Sequence, residues 1–145
     1  MKQEDKELLL KDLCARLPYG VKCQIKGEED FEPLKLKSFI QGEGFCAFDF
    51  GIKENLSLSF KELDEFKPYL FPLSSMTEEQ KEEYNSVCNK DLDALSEAVC
   101  NRTYVKTRIA MPLYYGIDWL IANHFDYRGL IPKGLAIDAT NLNIY

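Results

Sequence analysis

The stretch that most constrains this chain is PLYYGIDWLIANHFDYRGLIPKGLAID, Pro112 to Asp138, which holds the only Trp, the only His and the densest run of apolar residues. Read as a helix, Leu113, Ile117, Leu120 and Ile121 form one stripe at spacings of three and four, and Tyr115, Trp119 and Ala122 form a second beside it. A helix apolar on two stripes has to be wrapped by other elements, so the rest of the chain is expected to pack around it. Pro112 suits the first turn, where a missing N–H costs nothing, and the helix is expected to stop near Asn123 and His124. Beyond it, Asp126 is placed to cap a turn, while Gly129, Pro132 and Gly134 punctuate the backbone.

The remaining elements follow from periodicity. From Glu4 to Leu17, the residues Leu9, Leu10, Leu13, Cys14 and Leu17 mark a helical face, leaving Lys2, Lys6, Glu7, Lys11 and Asp12 for water. Pro18-Tyr19-Gly20 ends that helix. Val21, Cys23 and Ile25 then alternate with Lys22, Gln24 and Lys26 as in a half-buried strand, and Gly27 to Asp30 reads as a turn. Three more strands are expected at Leu34–Ile40, Phe45–Ile52 and Leu56–Phe60, with Gly42-Glu43-Gly44 as a hairpin turn. Sequential strands with short links imply an antiparallel meander. A helical turn at Lys61–Phe66 and an extended run at Lys67–Leu73, enforced by Pro68 and Pro72, come next.

Thr77 with Gln80 three residues on fits a capping box, and Glu78 and Glu79 suit the positive end of the helix dipole. Tyr84, Cys88, Leu92, Leu95 and Val99 continue that helix, with Asn89-Lys90-Asp91 as the place where it would break. Arg102–Ala110 reads equally as a strand or as an early start of the Pro112 helix. No repeat or linker divides the 145 residues. The expected fold is therefore a single α+β domain with an N-terminal helix, an antiparallel meander of about four strands, and two main C-terminal helices packed on one sheet face.

Composition bounds the function. With 46% hydrophobic and 29% charged residues the chain has the balance of a folded domain, and its net charge of −6 disfavours a nucleic-acid partner bound by phosphate neutralisation. Lys22, Lys26, Lys35 and Lys37 cluster in sequence, and alternating lysines of this kind are read as a solvated strand face. The five cysteines include no Cys-x-x-Cys pair and no His at ligand spacing, so neither a metal nor a cofactor is expected, and the thiols suit a reducing compartment. The N-terminal MKQEDKELLLKDL lacks an apolar run of signal-peptide length and no later run approaches a membrane span, so a cytoplasmic location is expected.

The nearest approach to a chemical site is Asp118, His124, Asp126, Tyr127 and Arg128. His124 with Asp126 has the composition of a general base and its orienter, and Arg128 offers a planar fork for an anion. Packing outweighs catalysis here: a His at a helix C-terminus, an Asp capping the next turn and an Arg joining them explain the same residues. Ser74 and Ser75 precede a helix N-terminus and read as caps. No glycine-rich nucleotide loop, Gly-x-Ser-x-Gly elbow or His-Glu-x-x-His pair is present.

The phrases KPYLFPLSSMTEEQKEEY (Lys67 to Tyr84), DWLIANHFDYRGLIPKGLAIDA (Asp118 to Ala139) and KELLLKDLCARLPYGVK (Lys6 to Lys22) make the chain resemble an uncharacterised family of small proteins from gut Bacteroidales genomes, phages and mobile elements. In similar sequences Arg often stands at the position of Phe71 and Glu at that of Pro132. The resemblance implies a setting and carries no activity to any residue. In that setting the expected function is a small acidic non-enzymatic protein-interaction module whose partner is a host or element-encoded protein, with outward aromatics near Lys67–Leu73 or Phe125–Tyr127. The alternative is an enzyme or binder acting on a small anionic ligand through His124, Asp126 and Arg128.

Overall fold

The computed structural model describes residues 1–27, 32–42, 45–49, 60–100 and 112–145. Helix α1 (Gln3–Arg16) runs into a 3-10 turn, Leu17–Tyr19, which Gly20 closes in the left-handed region at φ 66°. Among the described residues six strands follow: β1 (Lys22–Ile25), β2 (Leu34–Lys35), β3 (Ser38–Gly42), β4 (Phe45–Asp49), β5 (Phe66–Leu70) and, near the end, β6 (Ile137–Asp138). Helices α2 (Glu78–Cys100) and α3 (Pro112–Ala122) lie between β5 and β6. The fold class is α+β, with the expected N-terminal helix and two helices in the C-terminal half.

The strands do not follow one another as a meander. The four-stranded sheet has the order β2-β1-β5-β6, with β5 and β6 parallel, while β3 and β4 form a separate antiparallel hairpin. The second expected strand is thus split, Leu34–Lys35 pairing with β1 and Ser38–Gly42 with β4. The strand that takes the meander's place beside β1 comes from the Pro-bounded extended run, with Cys23 opposite Pro68 and Ile25 opposite Phe66. The expected strand at Leu56–Phe60 lies outside the described residues except for Phe60, which opens a 3-10 turn, Phe60–Glu65. Arg102–Ala110 also lies outside them. Helix α2 runs unbroken through Asn89-Lys90-Asp91.

Pro68 is tolerated inside a strand paired on both sides because of the direction its nitrogen faces. Tyr69 turns its carbonyl toward β1 and Leu70 turns its carbonyl toward the chain after β6, where it accepts from Ala139 N–H (2.9 Å). Pro68, two residues before Leu70, therefore faces the β6 side, and β6 begins only opposite Tyr69. On the other side the next rung, Lys22 to Tyr69, is filled by a side chain. Lys22 N–H donates to the Tyr145 hydroxyl (3.1 Å), which donates in turn to the Tyr69 carbonyl (2.9 Å).

The inner sheet face carries Val21, Cys23, Ile25, Leu36, Phe66 and Leu70, which meet Leu9 and Leu13 of α1, Leu63, and Leu130, Leu135 and Ala136 of the last loop. Burying Leu9 and Leu13 contributes about 2–3 kcal/mol each. A second cluster surrounds Trp119, which lies between Tyr84 (ring centroids 5.5 Å) and Phe125 (5.7 Å, planes 10° apart). Here α2 and α3 pack on each other, and Gly116 permits it: a Cβ there would sit 3.1 Å from Cys88 Sγ. The pair meets the end of the sheet through Phe71 against Phe125. The helix sharing the sheet's inner core is α1, because its leucines oppose the apolar alternation of β1 and β5.

Candidate functional site

The candidate residues converge on the point where α3 ends against α1. Two backbone bonds close α3: His124 N–H donates to the Ile121 carbonyl (3.1 Å) and Phe125 N–H to the Leu120 carbonyl (2.9 Å). This is a Schellman cap with His124, at φ 59°, in the left-handed position that glycine usually occupies, and Phe125 packs near Leu120 as that motif requires. The His124 ring stacks on Tyr145 (centroids 4.0 Å, planes 13° apart) and is buried. Burial, then the positive charges of Arg16 and Lys35, lower its pKa to about 4, so the imidazole is neutral at neutral pH.

Asp126 is committed to the backbone. Its Oδ1 accepts from Leu130 N–H and its Oδ2 from Ile131 N–H, both at 2.8 Å, which caps the turn after α3 as expected from its position. Its own N–H donates to the Phe71 carbonyl (2.8 Å), while Phe71 N–H donates to the His124 carbonyl (2.9 Å), so the segment 124–126 is sewn to the end of β5.

The cation that holds these elements is Arg16, which the sequence reading did not single out. Arg16 Nε and Nη2 donate to the two Asp12 carboxylate oxygens (2.7 and 3.3 Å), Nη2 also to the Phe125 carbonyl (2.8 Å), and Nη1 to the Ile121 carbonyl (3.3 Å). Both side chains are fully buried. Asp12, assigned above to the water face of α1, is therefore an interior residue. Four residues along a helix place it beside Arg16, and the two side chains together can be buried where either alone could not. That i,i+4 spacing, flanked by Leu13 and Leu17, was the available signal.

Arg128 approaches from the other side. Its Nε lies 3.3 Å from Asp12 Oδ1, an ion-pair distance at which the N–H does not aim well enough to hydrogen-bond, and its guanidinium sits 4.7 Å from the Tyr127 ring centroid. Burial raises the Tyr127 hydroxyl's pKa, opposed by Arg128. Asp118, further back on α3, accepts from the Tyr19 hydroxyl (2.6 Å). Of the expected set, then, His124 and Asp126 are built into backbone joints, Arg128 pairs with Asp12, and Asp118 ties α3 to the 3-10 turn after α1.

The other polar clusters are likewise engaged. A cleft of about 190 Å³ is lined by Phe71, Ser75, Thr77, Gln80, Phe125 and Thr140. Within it Thr77 and Gln80 close the expected capping box (3.0 and 3.2 Å), Ser75 donates to the Pro72 carbonyl, and Thr140 donates to Asp138. Of the aromatics expected to face outward, Tyr69 and Phe125 are buried and Phe71 and Tyr127 half-buried; Phe71 and Phe125 pack together where β5 meets the end of α3, and the Tyr69 hydroxyl donates to Gln24 on the outer sheet face. Leu73, Tyr115, Ile117 and Tyr145 are among the large apolar side chains that stay exposed in the described residues. Among the described residues no group of three His, Cys, Asp or Glu side chains is placed to hold a metal, and no helix is long and apolar enough to cross a membrane.

No family model, curated protein or solved structure matches the chain.

Proposed function

We propose that this chain is a small acidic, non-enzymatic protein-interaction module, acting in the cytoplasm on a host or element-encoded protein in the mobile-element setting its motifs suggest. The observation that carries this reading is how its polar groups are deployed. Asp126 and the Asp12–Arg16 pair are committed to joining α3 to α1 and β5, and the His124 ring is buried in a stack on Tyr145, whereas the outer face of the sheet presents the exposed Lys26, Lys35 and Lys67. The test is affinity capture of the tagged chain from a native-host lysate at low and high salt, with mass spectrometry of what co-elutes. One partner retained at both salts is the expected result, and retention of nothing specific counts against the reading.

A second reading, a small anionic ligand held through His124, Asp126 and Arg128, is favoured by one observation: Arg128 still exposes 24% of its side chain. Titrating the chain with inorganic phosphate while following backbone amide NMR shifts tests it. Saturable shifts around 124–131 that vanish in Arg128→Gln support that reading, and their absence disposes of it for phosphate.

A further inference from the structure

We propose that the outer face of the sheet docks an extended acidic polypeptide segment through Lys26, Lys35 and Lys67; this rests on the interaction reading above and names the partner's chemistry. Strand register decides which side chains share that face. Cys23 and Ile25 point inward, so Lys22, Gln24 and Lys26 point outward. Lys35 joins them as the cross-strand partner of Lys22, Lys67 as that of Gln24, and Ile137 beside Tyr69. Four of the seven residues so placed are lysines, in a chain whose net charge is −6.

Lys22 is partly committed, with its ammonium donating to the Ile144 carbonyl. Lys26, Lys35 and Lys67 are exposed, and none of the three is in an ion pair among the described residues. Lys22 and Lys35 stand directly opposite, an arrangement that costs stability until an anion is shared between them. The floor between Lys26 and Lys67 is a depression of about 320 Å³, with Gln24 and Ile137 beneath and Asp64 and Glu65 at the rim.

The spacing suits a strand-like ligand. By the strand register Lys26 and Lys35 lie about 14 Å apart, the rise of four residues in an extended chain, and Lys67 stands about 7 Å to one side between them, within reach of its long side chain. A segment with Asp or Glu at every second position therefore meets the lysines in turn. Nucleic acid fits less well. The aromatic ring on this face, Tyr69, is buried with its hydroxyl donating to Gln24, so it offers bases no stacking platform.

The test uses the full chain and a fluorescein-labelled peptide of about ten residues alternating Glu and Thr, long enough to cross the face. The parent chain is expected to bind it at low salt, with affinity reduced about tenfold by combined Lys26→Glu, Lys35→Glu and Lys67→Glu, and by a smaller factor when the same lysines become Gln. A control carrying Lys2→Glu, at the residue before α1, and Lys11→Glu on α1 should bind like the parent, and circular dichroism checks that each variant is folded. Absence of saturable binding by the parent, or equal binding by the reversed variant, overturns the proposal. Tighter binding of an oligothymidylate of similar length, lost with the same lysines, overturns it in favour of a nucleic-acid face. A captured partner that persists with the triple variant overturns the assignment of this surface and leaves the interaction reading standing, whereas failure of the parent to capture any partner removes that reading itself.

Discussion

Two helix ends in this molecule solve the same problem in opposite surroundings. The last carbonyls of α3 are buried and are satisfied by a Schellman cap and by the guanidinium of Arg16, itself neutralised by Asp12 at 2.7 Å. The first N–H groups of α2 are exposed and are satisfied by the Thr77–Gln80 capping box, with a Lys81–Glu78 ion pair at 2.6 Å beside it. The ion-pair distances are nearly equal, so geometry does not separate the two ends; water does. A partner removed from α2 is replaced by solvent, but one removed from α3 leaves a charge or carbonyl with nothing.

The largest effect should follow from Arg16→Met. It leaves the buried Asp12 carboxylate with only the more distant, poorly aimed Arg128 as counter-ion and strands the Phe125 carbonyl, and is expected to cost about 3–5 kcal/mol. In a chain of this size that lowers the melting midpoint by about 10 °C or more, read by thermal or urea denaturation. Adding Asp12→Leu should restore part of the loss, with a coupling of about 1–3 kcal/mol in the double-mutant cycle. Additive losses would show that the pair does not act as a unit.

The same buried end should give a pH signature. His124 has a pKa near 4 in the fold and about 6.5 unfolded, so between those values the unfolded chain binds the extra proton. Its contribution is fully present above about pH 6.5, is lost as pH falls toward 4, and amounts to at most about 3 kcal/mol. Carboxylates titrate in the lower part of that window as well. The measurement is therefore the difference in urea stability between the parent and His124→Ala, which should shrink on acidification. At the exposed end, Thr77→Ala should cost only about 1 kcal/mol and loss of Lys81 less than about 0.5.

The same contrast explains what the sequence discloses. The capping box at Thr77, the Asp126 cap and the stop of α3 near His124 are legible because each is encoded within a few residues. The sheet order is not, because β1 pairs with a strand more than forty residues away, and short-range alternation cannot rank Phe66–Leu70 above nearer candidates. Arg16 escaped notice for a related reason. A buried Arg is identified by what it meets, here carbonyls separated from it by 105 and 109 positions, and only its i,i+4 relation to Asp12 is local.

The finest discrimination between the two ends lies in His124 itself, where two substitutions should reverse their usual order. In a helix or strand Gly is ordinarily worse than Ala, because it gains more backbone freedom on unfolding. At φ 59° the native backbone lies where an L side chain is strained by about 1 kcal/mol and Gly is not. Both substitutions lose the stack on Tyr145, worth about 0.5–1.5 kcal/mol, and both lose the buried titrating ring. Those losses cancel in the comparison, so the backbone term remains. His124→Gly is therefore expected to be more stable than His124→Ala by about 1 kcal/mol in urea denaturation. Equal stabilities, or Ala the more stable, would show that the cap does not hold this residue in the left-handed region in solution. At Ser86, on the exposed surface of α2, the same pair of substitutions should show the ordinary order, Ala above Gly by about 1 kcal/mol.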